Sequence, residues 1–384
     1  MSTSQTVSMR EVTAAILLWT RLPFVTERQL TDEESARRRS GLVLGLSGYL
    51  FWGGMPLVFA AAAPAIPLEI LAHRILWSLV FCTILLIFAR GFRRVLTALR
   101  DPRVFGTLAL AAIVVSINWF GFLLGVSLNR VVEVSLGYFF NPLVTVLIGV
   151  IFLGERLRKL QWAAVIVGCL AVVVIAVGYG QMPWLALLVA FSFGLYGLIK
   201  NRVGGKVGAL EGLTVETAVL TPVCGAYIIY LTVTGASHFG TEDTGHLLIM
   251  LALGPITAIP LILFGAATRR VPLSWVGLMQ YVTPTIQFIL GITVLGEQMP
   301  LARWIGFIII WIAVVMLTID MLRATRAQRR REIRKANRPE PPPPVTAGTR
   351  DVSVSEAVHA SDAEAVETAG AEAPEAKEPP PAAR

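Results

Sequence analysis

Polar side chains inside long apolar runs are where this sequence could do chemistry, because a charge at the centre of a bilayer costs about 3 kcal/mol or more unless it is paired or wet. Glu69, His73 and Arg74 stand together in the run 67–89. Four residues apart, Glu69 and His73 share one face of a helix, with Arg74 about 100° round. Such a trio can bind a substrate or carry a proton in a central cavity. The plainer alternative is that Glu69 caps the run near the membrane surface and pairs with His73 or Arg74. Glu216 falls opposite Arg74 at the repeat offset described below, so the two could form a gate or bind a zwitterionic ligand. Alternatively, Glu216 is a helix-start acid held by the helix dipole, at about 0.5 kcal/mol. A second centre comprises Tyr138, Asn141 and Pro142, matched later by Gln280, Tyr281, Thr283 and Pro284. Proline in a spanning helix frees a carbonyl and bends the helix, so Pro142 and Pro284 are expected helix breaks. The polar residues beside them would then meet substrate, or bond to neighbouring helices without any ligand. Asn118 and Trp119 join this set, as do Trp52 and Tyr196, although an aromatic in a span is more often packing or an interface anchor.

Several chemistries lack their residues. There is no Walker A, HExxH or G-x-S-x-G pattern, so neither nucleotide hydrolysis nor a recognisable hydrolase is supported. The spacing His238-x-x-x-Glu242-x-x-x-His246 could hold a metal on a helix. Gly235, Gly240 and Gly245 would weaken a helix there, so a solvated loop is expected and neither metal nor cofactor. Cys82, Cys169 and Cys224 all lie in apolar runs and read as small core residues.

The elements that position these residues follow from composition. Of 384 residues, 55% are hydrophobic and 15% charged, with a mean hydropathy of +0.68. A soluble domain carries about 25% charged residues, so the apolar surplus must face lipid. Ten runs are long enough to span: 41–61, 67–89, 104–126, 131–153, 161–179, 182–200, 213–233, 247–267, 272–295 and 301–322. Each covers the roughly 30 Å of hydrocarbon as a helix, the form a lipid-embedded backbone requires. The net charge of +8 sits in short basic runs between alternate spans, such as Arg90–Arg103, Arg156–Lys159, Lys200–Lys206 and Arg269–Arg270. That placement argues against nucleic acid, and the positive-inside rule puts both termini in the cytoplasm.

The chain also repeats itself. Pro142 matches Pro284, Gly149 matches Gly291, and Leu153, Gly154, Glu155 and Trp162 match Leu295, Gly296, Glu297 and Trp304, all at one offset of 142. Each copy would hold five spans. An odd number inverts the second copy, the arrangement that underlies alternating access in many transporters. The expected organisation is an all-α polytopic membrane protein. Residues 1–40 form a cytoplasmic extension with a short apolar patch, Val12–Trp19, read as interfacial or disordered; 41–179 and 182–322 are the two inverted five-helix repeats. Residues 323–384 form a basic, then Pro/Ala/Glu-rich tail that cannot bury a core and is expected to be disordered.

The stretches Glu69–Ser78 (EILAHRILWS), Ile117–Phe122 (INWFGF), LGYFFNPLV and FLGERLRKLQW resemble the RarD-type branch of the drug/metabolite transporter superfamily, whose domains are called EamA domains. The likeness covers roughly 41–322. It implies ten helices in two inverted halves, a bacterial inner-membrane location and transport of small organic compounds; the long terminal extensions depart from it. The expected function is therefore a secondary transporter, an exporter or exchanger, open to proton coupling. Its partners would be a small-molecule substrate and membrane lipid, and a homodimer is compatible with the chain. The alternatives are a non-transporting membrane scaffold with a basic tail, and an intramembrane enzyme, for which no nucleophile–base or metal cluster is visible.

Overall fold

The computed structural model describes residues 32–203 and 206–336. The apolar patch at 12–19 and the tail beyond 336 lie outside the described residues. The chain separates into a membrane unit through Arg330 and a second unit from Arg331, of which only the last helical residues are described.

All regular structure among the described residues is helical. The helices are α1 (Asp32–Ala61), α2 (Pro67–Ala89), α3 (Phe92–Arg100), α4 (Pro102–Ser127), α5 (Val131–Leu153), α6 (Lys159–Tyr179), α7 (Trp184–Asn201), α8 (Ala209–Val233), α9 (Thr244–Thr268), α10 (Leu273–Met279), α11 (Val282–Thr293) and α12 (Leu301–Ala336). Their starts follow local chemistry. Pro67 and Pro102 occupy first-turn positions that need no N–H. Asp101 accepts from the amides of Arg103 and Val104, and Asp243 from that of His246. Their ends do too: α5 and α6 stop at Gly154 and Gly180, both with positive φ.

Several expectations need correction. The extension is helical from Asp32, and α12 continues to Ala336 rather than stopping near 322. The added residues are mostly Arg, Ala, Gln and Glu, strong helix formers that extend a helix without needing a core. The basic loop 90–103 contains α3, an amphipathic helix that buries Val95 and Ala98 and turns its arginines outward. Cys169 is exposed on α6 rather than packed in the core. Pro142 does not break its helix, since α5 runs through it. The break occurs in the second copy: Pro284 has no N–H to return to the carbonyl of Gln280, and the chain turns at Gln280–Tyr281 between α10 and α11. Nine of the described helices are consequently long and apolar enough to cross a membrane, and the tenth expected span is made of two short pieces.

Packing reproduces the repeat. Helix α5 packs on α7, and its repeat-mate α11 packs on α1, the mate of α7. The same exchange relates α4–α7 to α1–α9, and α2–α9 to α4–α8. The pairs α2–α8 and α5–α11 map onto themselves. This is the contact pattern of a pseudo-two-fold axis relating two inverted halves. The outside is apolar, with Phe88 81% and Val233 80% exposed, while Glu69, His73, Arg74, Asn118 and Glu216 are buried. That inversion of a soluble protein's polarity is what a lipid solvent requires.

Glycines let the helices approach. A Cβ on Gly254 would collide with the backbone of Trp77, and one on Gly137 with the backbone of Ala186. Overpacking of this kind costs about 1–3 kcal/mol or more. Gly254→Val and Gly137→Val are therefore expected to lower the unfolding temperature in detergent, followed by tryptophan fluorescence. Gly225→Ala, with nothing within 4 Å of the added carbon, is expected to leave it unchanged or raise it, because helical glycine costs about 0.5–1 kcal/mol.

Candidate functional site

Arg74 is the centre of the buried polar cluster. It lies on α2, 5% exposed, and its Nε donates to Thr257 Oγ1 of α9 at 2.9 Å. The guanidinium carbon sits 4.2 Å from the ring centre of Trp119 on α4 and 5.3 Å from that of Phe59 on α1. No carboxylate pairs with it among the described residues. Close by, the Tyr138 hydroxyl of α5 approaches Asn118 Oδ1 of α4 at 3.5 Å, and Asn118 Nδ2 donates to the Val189 carbonyl and to Ser192 of α7. Side chains from three other helices, α1, α4 and α9, thus meet one guanidinium.

The other predicted residues fall into separate places. Glu69, fully buried, does not meet His73 or Arg74. It accepts from the amide of His238 at 2.7 Å and from Ser237, and its second oxygen pairs with His238 Nδ1 at 2.9 Å. It therefore ties α2 to the loop after α8. His73 stacks on Phe239 of that loop, ring centres 4.5 Å apart, and neither of its nitrogens has a partner among the described residues. His246 does not join His238 around a metal; it bonds the Ala62 carbonyl at 3.0 Å. No group of three His, Cys, Asp or Glu side chains converges among the described residues. Glu216 does not face Arg74. It pairs with Lys200 at 2.5 Å and accepts from Tyr196 at 3.2 Å, joining α8 to α7. Asn141 is half-buried with an unpartnered Oδ1, and Tyr281 stacks on Phe139 at 6.5 Å in the interface of α5 and α11, next to Gln280.

Three participants escaped sequence reasoning. Thr257 is an ordinary residue in an apolar run, Phe59 one aromatic among many, and Phe239 lies in what reads as a solvated loop. Only the position of Thr257 between Pro255 and Pro260 could have drawn attention to it.

A bundle helical throughout its described regular structure, of two inverted repeats with polar side chains buried among them, is the architecture of a polytopic membrane protein. The EamA-like transporter family matches this chain twice, at residues 39–177 and 182–319, and the chain belongs to that family. A Protein RarD of Streptomyces exfoliatus is 47% identical over 77% of this chain and 93% of its own length. An uncharacterized transporter of Vibrio cholerae is 38% identical over 78% and 98%, and a Protein RarD of Salmonella typhi 38% over 76% and 99%. The chain is thus a RarD-type membrane transporter.

The Glu69–His238 contact is testable on its own. Hydrogen bonds to a charged acceptor contribute about 1.5–3 kcal/mol against about 1 for neutral ones. Glu69→Gln is expected to speed amide exchange at Ser237 and His238 roughly tenfold, a loss of about 1.4 kcal/mol, with exchange in α5 unchanged.

Proposed function

We propose that this protein is a secondary transporter that moves a small organic solute across the bacterial inner membrane by alternating access, and that the solute presents an anionic group to Arg74. Both termini lie in the cytoplasm in this reading, from the basic residues on alternate connections.

The observation that supports it most is the state of Arg74. An uncompensated charge in a low-dielectric interior costs several kcal/mol. The faces of Trp119 and Phe59 offset part of this by cation–π attraction, about 2 kcal/mol when desolvated. They cannot replace a carboxylate, which takes the guanidinium fork through two charge-assisted bonds. The same rings would line a slot for a flat apolar body. Tyr138 and Asn118 stand ready to bond the solute's remaining polar groups. His73, Glu69 and Glu216 are the groups through which a proton could be exchanged during the cycle.

Reconstituted vesicles test the reading with carboxylate-bearing aromatic solutes and their amides, with and without a pH gradient. Uptake or efflux is expected for acids and not for the amides. Arg74→Met keeps the length and removes the charge. It is expected to reduce flux at least tenfold, given about 1.5–3 kcal/mol for a charge-assisted bond, while the unfolding temperature holds or rises. Arg74→Lys is expected to fall between the two. Full flux in Arg74→Met, or equal flux of acids and amides, would remove Arg74 as the anchor. Flux that ignores the gradient would make the protein a facilitator.

A further inference from the structure

Glu297 lies in the 294–300 connection after α11, and its carboxylate caps the start of a distant helix. It accepts from the backbone N–H groups of Val131 and Val132, the first residues of α5, with 3.2 and 3.1 Å from the Val132 nitrogen to its two oxygens. First-turn N–H groups have no partner inside their own helix, and Arg130 at the N-cap supplies none from its side chain. The capping group comes instead from the other repeat. Asn129 adds a bond to the Leu295 carbonyl at 3.3 Å. Gly291 permits the approach, since a Cβ there would lie 2.7 Å from a Val132 methyl. Together these contacts hold the start of α5 against the end of α11.

Glu155 is the repeat-mate of Glu297 and sits in the same turn. Gly154 and Gly296 have φ of 66° and 68°. The amide of Glu155 returns to the Gly149 carbonyl at 3.3 Å, and that of Glu297 to the Gly291 carbonyl at 2.9 Å. Each carboxylate folds back over its glycine: a Cβ on Gly149 would lie 2.8 Å from Glu155 Oε2, and one on Gly291 3.4 Å from Glu297 Oε1. Their surroundings differ. Glu297 is 6% exposed and engaged, whereas Glu155 is exposed and accepts no hydrogen bond among the described residues. The offset of 142 that carries Glu155 to Glu297 carries Val131 and Val132 to Leu273 and Ser274. Those residues open α10, the first piece of the ninth span, and Pro272 before them supplies no side-chain cap.

We infer that Glu297 and Glu155 are alternating latches: Glu297 holds the start of the fourth span when one face is closed, and Glu155 holds the start of the ninth span when the opposite face is closed. The inference rests on the alternating-access reading above. It turns a duplicated Gly-Glu pair into the contact that distinguishes the two states.

The latch also takes up a proton. Glu297 lies outside the spans, and burial raises its carboxyl from an ordinary 4.5 to about 7, against the opposing pull of the Val132 and Val131 amides and of Arg303. Glu133 on α5 raises it further; Arg130 is occupied by Glu133 at 2.5 Å. A released Glu297 faces water and keeps its ordinary value, so the latched state binds the proton more tightly. Lowering the pH through 7 therefore favours the latched face, and raising it favours release, by up to about 300-fold between the two limits.

Double electron–electron resonance in nanodiscs tests this, in a background lacking Cys82, Cys169 and Cys224. Spin labels at positions 128 and 298 report the Glu297 face, and labels at 156 and 269 the opposite face. The 128–298 distance is expected to be short at pH 6, with a longer population at pH 8 accompanied by a shorter 156–269 distance. Glu297→Gln, a neutral mimic of the protonated acid, is expected to hold 128–298 short at both pH values. Glu297→Ala is expected to open that face at both, and Glu155→Ala to leave it closed at both. Two exchanging populations that Glu297→Ala does not shift would overturn the latch and leave alternating access standing. So would Glu155→Ala moving the distances in the same direction as Glu297→Ala. A pH response that survives Glu297→Gln would assign the proton elsewhere and overturn that part. A single invariant distance on both faces in every variant and at both pH values would overturn alternating access itself.

Discussion

Hydrocarbon offers no hydrogen-bond partner to a backbone or a charge, and that constraint governs what this chain can build. Helices satisfy their own amides and carbonyls everywhere except at their ends, so the ends and the polar side chains become the informative places. At the ends the demand is met from nearby by Asp101 and Asp243 and from far away by Glu297 on α5 and by Glu133, which accepts from the amide of Leu185 at the start of α7 at 3.0 Å. Each distant cap spans an interface between the repeats. The cost of an unmet N–H, about 1–3 kcal/mol when buried, thus holds the two halves together as well as ending a helix.

The same constraint makes the remaining unpartnered groups meaningful. Both nitrogens of His73, Ser78 Oγ, Asn141 Oδ1 and Gln287 Oε1 are buried without partners among the described residues. These sit on α2, α5 and α11, and His246 Nδ1 on α9 is buried without a partner as well. A protein that needed only to be stable would replace such groups with apolar ones at little cost.

The fold was legible in the sequence because lipid writes it in long runs. Pro67–Ala89 and Val131–Leu153 could be bounded to the residue, since a proline or a basic loop stands at one end and a turn signal at the other. Helix α3 was not legible, because nine residues rich in arginine read as a topology loop until the packing of Val95 and Ala98 is seen. The fate of the two prolines was not legible either. Pro142 and Pro284 occupy equivalent positions, yet only the second accompanies a break, so the helix responds to its tertiary surroundings as well as to the ring. For the site, the sequence supplied the charged residues and not their partners. Glu69, His73 and Arg74 share a short stretch, and the structure sends them to a loop amide and imidazole, an aromatic stack and a threonine on another helix. Local spacing says which face a side chain leaves from. It does not say which other helix waits opposite.

Among the described residues the buried charges divide cleanly. Glu69 has His238, Glu133 has Arg130, Glu211 has Arg94, Glu216 has Lys200, Asp320 has Arg158, and Glu297 has two backbone amides. Each is met by a cationic side chain, an imidazole or backbone amides. Arg74 lies a full turn and more inside α2 and has a threonine and two aromatic faces. Neutralising it within the protein would have taken one acidic side chain against the guanidinium, and among the described residues no carboxylate pairs with it. In the alternating-access reading proposed above, a carrier gains from that omission. A site already neutralised internally would bind an anion only by displacing its own carboxylate, whereas an unneutralised one lets the solute supply the missing charge and leave again when the cavity opens to water.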